Sequence, residues 1–387
     1  MWRLLTVGLV ILAVTVLGFS LIDRGSGDVR ASAALLPVQE NLEAFTRAVG
    51  PWDWQFPRDH GAHPDFQTEW WYYTGNVADA DGRRFGFQFT LFRRAIDPTL
   101  AQTVSEWRSG QVYMAHFTVS DLENGRFYHS ERYSRGGAGL AGAVGEPRYR
   151  AWLEDWEVLA LDDEATQFAM TAAEDDFAVD LVLEQVKPIA LQGDNGLSAK
   201  SSVEGNASYY YSMTRLPTTG TLTIEGETFI VSGNTWMDHE FSTSALGTDA
   251  LGWDWFGLIF DNDHELMVGQ IRQTDGERDP NFGGLMVYPD GSTQYLAADD
   301  FTIEALDTWE SPHTGAIYPS GWRITIRGAA LNQTDDLVFT ATPMALDQEL
   351  NSGDIAYWEG AVRIDGGVTG YGYAELTGYA NTMTGRF

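Results

Sequence analysis

The chain has 387 residues, enough for two or three domains, and its 44% hydrophobic content supplies a sizeable core. Its 24 basic and 55 acidic residues leave a net charge of −31, which argues against nucleic acid or any other polyanion as a partner. It has no cysteine, which excludes disulfides, thiolate catalysis and cysteine-bound zinc.

At the N-terminus, Met1-Trp2-Arg3 carries one positive charge, and Leu4 to Ile22 carries none until Asp23-Arg24. Residues 1–22 therefore read as a signal peptide or a membrane anchor. Either way the remainder is expected outside the inner membrane, periplasmic or extracellular, touching the membrane only through this segment. Residues 23–51 read as a tether, with a short helix over Asn41–Val49.

From Trp52 onward the pattern is that of strands. Phe85, Phe87, Phe89 and Leu91 alternate with Gly86, Gln88 and Thr90, and Gln111 to Val119 alternates as well. Asp81-Gly82, Asn124-Gly125, Asp290-Gly291 and Asp365-Gly366 mark hairpin turns between such runs. No long amphipathic helix is expected. Glu69-Trp70-Trp71-Tyr72-Tyr73, an acidic turn and a strand ending at Arg93 are echoed by Gly252-Trp253-Asp254-Trp255-Phe256, an acidic turn and a strand ending at Arg272. The echo suggests an internal duplication, and convergent strand composition is the alternative. These signals predict an all-β chain of two antiparallel barrel-like domains, 52–215 and 216–387, dividing at Leu216-Pro217.

Candidate site residues come from polar groups inside apolar runs. With 14 Trp, 16 Tyr and 20 Phe, the barrels can line a cavity for a flat or elongated apolar ligand, although simple core filling explains many of these rings equally well. Trp71, Tyr210, Trp236, Trp253, Trp255 and Tyr373 are the candidate cavity walls. Glu69, Asp254 and Glu375 alternate among aromatic residues, so burial either raises their pKa values or pairs them with Arg93, Arg215, Arg272 or Arg363. In Trp236-Met237-Asp238-His239-Glu240-Phe241, Asp238 and Glu240 project to one side and His239 to the other with Met237 and Phe241. Asp238 and Asp254 are candidate acids. His239 is either a proton relay or a core histidine. We expect His239 and Asp254 to line one cavity in the second half. His60 and His63 sit around a glycine, too weak a pattern for a metal site, and the chain offers no serine-hydrolase elbow or phosphate loop. The expectation is no metal and no cofactor.

Several motifs in order resemble those of the lipocalin-like family of AttH and carotenoid 1,2-hydratase. They are Phe56-Pro57-Arg58-Asp59-His60-Gly61-Ala62-His63-Pro64 with Glu69-Trp70-Trp71-Tyr72, then Lys187-Pro188, Ser208-Tyr209-Tyr210-Tyr211-Ser212 and Trp236-Met237-Asp238-His239-Glu240. Tyr357-Trp358-Glu359-Gly360 and Gly372-Tyr373-Ala374-Glu375-Leu376-Thr377-Gly378-Tyr379 complete the series. The resemblance spans residue 52 to the C-terminus and implies two lipocalin-like barrels packed together. It is closer to the AttH-like branch than to true hydratases. His239 matches a histidine implicated in hydration, whereas Phe241 stands where the hydratases carry tryptophan. Two functions follow as expectations. One is an exported carrier of a lipid or isoprenoid, serving an ABC-type permease. The other is a hydratase-like enzyme adding water to an isoprenoid C=C by acid catalysis.

Overall fold

A computed structural model of the protein describes residues 42–96, 109–243, 246–352 and 355–383. The expected hydrophobic segment Leu4–Ile22 and most of the tether lie outside the described residues. In place of a helix over Asn41–Val49, the structure forms a single 3-10 turn at Leu42–Ala44. The few apolar residues there are too short a run to hold a longer helix.

Two antiparallel sheets account for nearly everything else. The first contains β1 (Thr68–Ala78), β2 (Arg84–Ala95), β3 (Gln111–Asp121), β4 (Arg126–Arg135), β5 (Ala141–Val144), β6 (Arg150–Leu153), β7 (Trp156–Ala160), β8 (Gln167–Ala173), β9 (Phe177–Glu184), β10 (Ala190–Leu191), β11 (Leu197–Ala199), β12 (Ala207–Ile224) and β13 (Glu227–Ser242). Its order is β4-β3-β2-β1-β13-β12-β9-β8-β7-β6-β5. It curls until β2, β3 and β4 touch β6, a near-closed barrel. The alternating apolar residues explain the curl. Phe85, Phe87, Phe89 and Leu91 of β2 meet Trp71 and Tyr73 of β1 and Trp156 of β7 in the interior.

The second sheet contains β14 (Ala250–Phe260), β15 (Glu265–Gln273), β16 (Gly284–Val287), β17 (Thr293–Leu296), β18 (Phe301–Glu310), β19 (Ile317–Ile326), β20 (Leu337–Pro343), β21 (Glu349–Leu350), β22 (Tyr357–Gly366) and β23 (Gly370–Leu376). Its order, β17-β16-β15-β14-β23-β22-β20-β19-β18, makes a curled half-barrel. In both sheets the first strand lies between its own hairpin partner and the last strand: β1 between β2 and β13, and β14 between β15 and β23. The two echoing sequence segments are thus the same hairpin of each sheet.

The sheets change between Ser242 and Ala250, later than the expected division at Leu216-Pro217. The proline reads as a break, yet β12 carries it. The register shifts between Met213 and Leu216, and Pro217 then pairs with Asn234. A bulge is where a sheet tolerates a residue without an N–H.

The second sheet packs on the outside of the first. Tyr72, Tyr210 and Trp236 from the first sheet meet Trp255, Met267, Ala361 and Tyr373 from the second. An acid-centred clamp locks them: buried Glu265 on β15 takes Lys187 Nζ at 2.8 Å and Arg215 Nε at 2.5 Å, the latter from β12.

Candidate functional site

Strand β1 has no solvated face. Glu69, Trp71 and Tyr73 point into the barrel, and Trp70 and Tyr72 point outward against the second sheet. An outward face of this kind needs a cover, and the cover leaves a cavity between the sheets.

Register dictates what lines it. Directly opposed residues form one row across the first sheet: Ser212 on β12, Asp238 on β13, Tyr72 on β1, Thr90 on β2, His116 on β3 and Glu131 on β4. The next outward row is Tyr210, Glu240, Trp70, Phe92 and Met114. A polar row beside a largely aromatic one follows from strand pairing alone. From the second sheet, Trp253, Trp255, Tyr357 and Glu375 complete the walls.

The acids of this cavity are unusual. Asp238 accepts from Ser212 Oγ at 2.5 Å, Tyr210 Oη at 2.7 Å and Trp236 Nε1 at 2.7 Å. Burial nevertheless pushes its carboxyl up to about 7 against those bonds, with Glu240 adding to the rise. Glu375 accepts a single bond among the described residues, from Trp253 Nε1 at 2.9 Å. Burial pushes it up to about 7 as well, with the charges of Asp238 and Glu240 adding to the effect. Glu359 lies directly opposite Glu375 on β22 and is bonded by the Tyr72 hydroxyl. Burial and then the Glu375 charge hold Glu359 well above the usual carboxylate range. Glu240 is paired with Lys200 at 2.8 Å. Across the cavity, His116 bonds Tyr357 Oη through Nδ1 at 2.7 Å and Glu131 through Nε2 at 2.9 Å.

The residues singled out in the sequence divide by strand parity. Asp238, Tyr210, Trp253, Trp255 and Glu375 line the cavity. Trp236 and Tyr373 pack beside it in the layer between the sheets. Glu69, Trp71 and His239 do not reach it, because they lie on the opposite face, inside the first barrel. There His239 Nε2 bonds Glu69 at 2.8 Å, its Nδ1 bonds Tyr211 Oη at 3.0 Å, and Trp71 stacks on its ring. Burial depresses the His239 pKa, with Glu69 pulling the other way. Asp254 also faces away. It is bonded by Gln270 at 2.7 Å, Arg272 at 3.1 Å and Tyr379 at 2.9 Å, on the face that carries Phe256 and Leu258 into the second core. The expected cavity shared by His239 and Asp254 is thus corrected: the cavity lies between the sheets, and alternation sends both residues elsewhere. Sequence reasoning missed Gln88, His116, Lys200, Tyr357 and Glu359. The available signal was a polar residue breaking an apolar strand, as His116 does in Gln111–Val119.

Among the described residues, His63, Glu69 and His239 could bring donor atoms within 4.8 Å of one another around a metal ion. Glu69 is already bonded to Arg93 Nε at 2.7 Å and to His63 Nδ1 at 2.7 Å. Burial opposes charge on Glu69, but Arg93 and His63 outweigh it and hold the carboxyl well below its usual range. A cation there would have to displace the bonds that His63 and His239 make to Glu69 Oε1, beside the Arg93 charge on Oε2, so the cluster is a self-neutralised ion network.

A family model described as AttH-like matches residues 47–379. The fold is similar to that of a Nitrosomonas europaea protein described as an AttH, with 33% identity, TM-score 0.76, and coverage of 87% of this chain and 99% of that one. It is also similar to kievitone hydratase from Nectria haematococca, at 14% identity and TM-score 0.66, covering 87% and 97% of the two chains. CghA, solved with Sch210972, is similar at 14% identity and TM-score 0.53, covering 81% and 89%. No curated protein matches the sequence.

Proposed function

The chain belongs to the AttH-like family, with a fold similar to that of hydratases, and from that premise we propose that it is an acid–base enzyme adding water to a C=C bond of an apolar, isoprenoid-like substrate held between the two sheets. The observation that carries this reading is a pair of buried carboxyls, Asp238 and Glu375, both pushed up to about 7 on the wall of an aromatic cavity. Each repels the other's charge, so near neutral pH one is protonated and one ionised. The three donors around Asp238 favour its carboxylate, and Glu375, with one, keeps the proton.

The reaction then balances. Glu375 gives its proton to one alkene carbon, leaving a carbocation at the other. The faces of Trp70, Trp253 and Trp255 stabilise that charge. A water oxygen bonds to the cation, and Asp238 takes the proton that this water loses. Proton return from Asp238 to Glu375 resets the site. A carrier of lipid or isoprenoid would use the same apolar walls, but it has no task for protonatable acids, whose burial costs stability.

The test is incubation with a panel of isoprenoid alkenes in heavy-oxygen water, followed by mass spectrometry. The expected result is a product carrying one heavy-oxygen hydroxyl, formed roughly 10²–10⁴-fold more slowly by Glu375→Gln. Product formed equally fast by that variant would overturn the role of Glu375, and binding without any product would return the protein to the carrier reading.

A further inference from the structure

The acids account for one side of the cavity only. On its other side, Gln88 is fully buried on the wall, and its Oε1 has no hydrogen-bond partner among the described residues. A buried carbonyl oxygen without a donor is costly, on the order of a hydrogen bond lost. Its Nε2 donates to Thr90 Oγ1 at 2.9 Å and to Tyr357 Oη at 3.0 Å.

The direction of this amide is set by a chain of partners running back to β4. His116 Nε2 donates to Glu131 Oε2 at 2.9 Å, which turns Nδ1 towards Tyr357. Nδ1 lies 2.7 Å from the Tyr357 hydroxyl, which also bonds Glu359. With its proton directed to His116 or to Glu359, Tyr357 offers Gln88 lone pairs, and Gln88 presents its NH₂ to it. That leaves the carbonyl oxygen for whatever fills the cavity.

We propose that Gln88 Oε1, oriented through Tyr357, His116 and Glu131, is a binding site for a neutral hydrogen-bond donor on the ligand, which makes the substrate class an apolar alkenol rather than a hydrocarbon. The proposal deepens the hydration reading and rests on it for the word substrate; the donor site itself does not. Tyr357 on β22 is next to β23, which carries Glu375, and Gln88 on β2 is two strands from Asp238 on β13. Gln88, Tyr357, His116 and Glu131 act here in binding and positioning.

The probes are geraniol, an apolar alkenol with a hydroxyl and a distal alkene, and geranyl methyl ether, which keeps the skeleton and the oxygen but has no donor. Binding to the whole protein is read by quenching of the cavity tryptophans Trp70, Trp253 and Trp255. The wild type is expected to bind geraniol about tenfold more tightly than the ether, the discrimination typical of a site built to bond a hydroxyl. Gln88→Leu, checked for folding by near-ultraviolet circular dichroism, should bring the two affinities together by weakening geraniol only. Tyr357→Phe should also reduce the preference, since the amide is then free to turn its NH₂ to the ligand. Equal wild-type affinities, no binding of either probe, or a preference intact in both variants would overturn the proposal. The wild type separates the two readings: a geraniol preference without any hydration product from the wild type upholds the donor site while the hydration reading fails.

Discussion

Glu375 has one polar bond and a fully buried position, and those two facts have consequences beyond catalysis. Its pKa is raised from 4.5 to about 7 by burial, so the folded state binds the proton more tightly than the unfolded state does. The associated stability is fully present below about pH 4.5 and is lost as pH rises through about 7. Glu375→Gln, which stays neutral, should therefore lose less stability than the wild type between pH 5 and 8, by roughly 3 kcal/mol, in urea melts at the two pH values. Equal losses in the two proteins would show that Glu375 ionises normally. Activity carries the opposite signature: one carboxyl must be protonated and the other ionised, so the rate should fall on both sides of neutrality. Part of this residue chemistry was legible in the sequence. An acid among Tyr371, Tyr373 and Trp-rich strands is expected to be paired or raised; Glu69 is paired with Arg93 and held low, whereas Asp254 is paired with Arg272 and still raised by burial. Which acid lacked a partner was not legible, because it depends on how β14, β22 and β23 align.

The hairpins show what strand alternation can and cannot convey. Asp238 and Glu240 on one face and His239 on the other follow from a period of two, and the structure has them so. Alternation also separates Asp254, Phe256 and Leu258 from Trp253 and Trp255. It does not say which face is inward when both are apolar, and this ambiguity put His239 and Asp254 in one expected cavity. Similarly, Pro217 looked like a boundary because a bulge that absorbs a proline has no clear sequence mark. The join between sheets instead depends on Glu265, buried with Lys187 and Arg215 around it. Glu265→Gln removes the charge and leaves two partly buried cations facing each other. It should cost about 3–5 kcal/mol in chemical denaturation, with β14–β15 amides gaining exchange before those of the first barrel. A loss below 1 kcal/mol would mean that the aromatic layer alone holds the sheets together.

At the scale of the whole molecule, two sheets with the same strand order meet so that the outer face of one becomes a wall of the site. Neither sheet makes the cavity by itself. The first supplies Asp238, His116 and Gln88, and the second supplies Glu375, Tyr357 and two tryptophans. The all-β class and the repeated hairpin could be read from the sequence, but a site formed between two sheets could not, since it depends on long-range docking rather than local pattern. The proposed chemistry requires a carboxylic acid that stays protonated in this cavity near neutral pH. Infrared difference titration of the whole protein measures it most directly, through the carbonyl stretch that only a protonated carboxyl shows. The expected result is a component of that band titrating with a midpoint near pH 7 in the wild type, reduced in Glu375→Gln and lost when Asp238→Asn is added. A wild-type band that has vanished by pH 5–6, or an unchanged pH 7 component in Glu375→Gln, would contradict it.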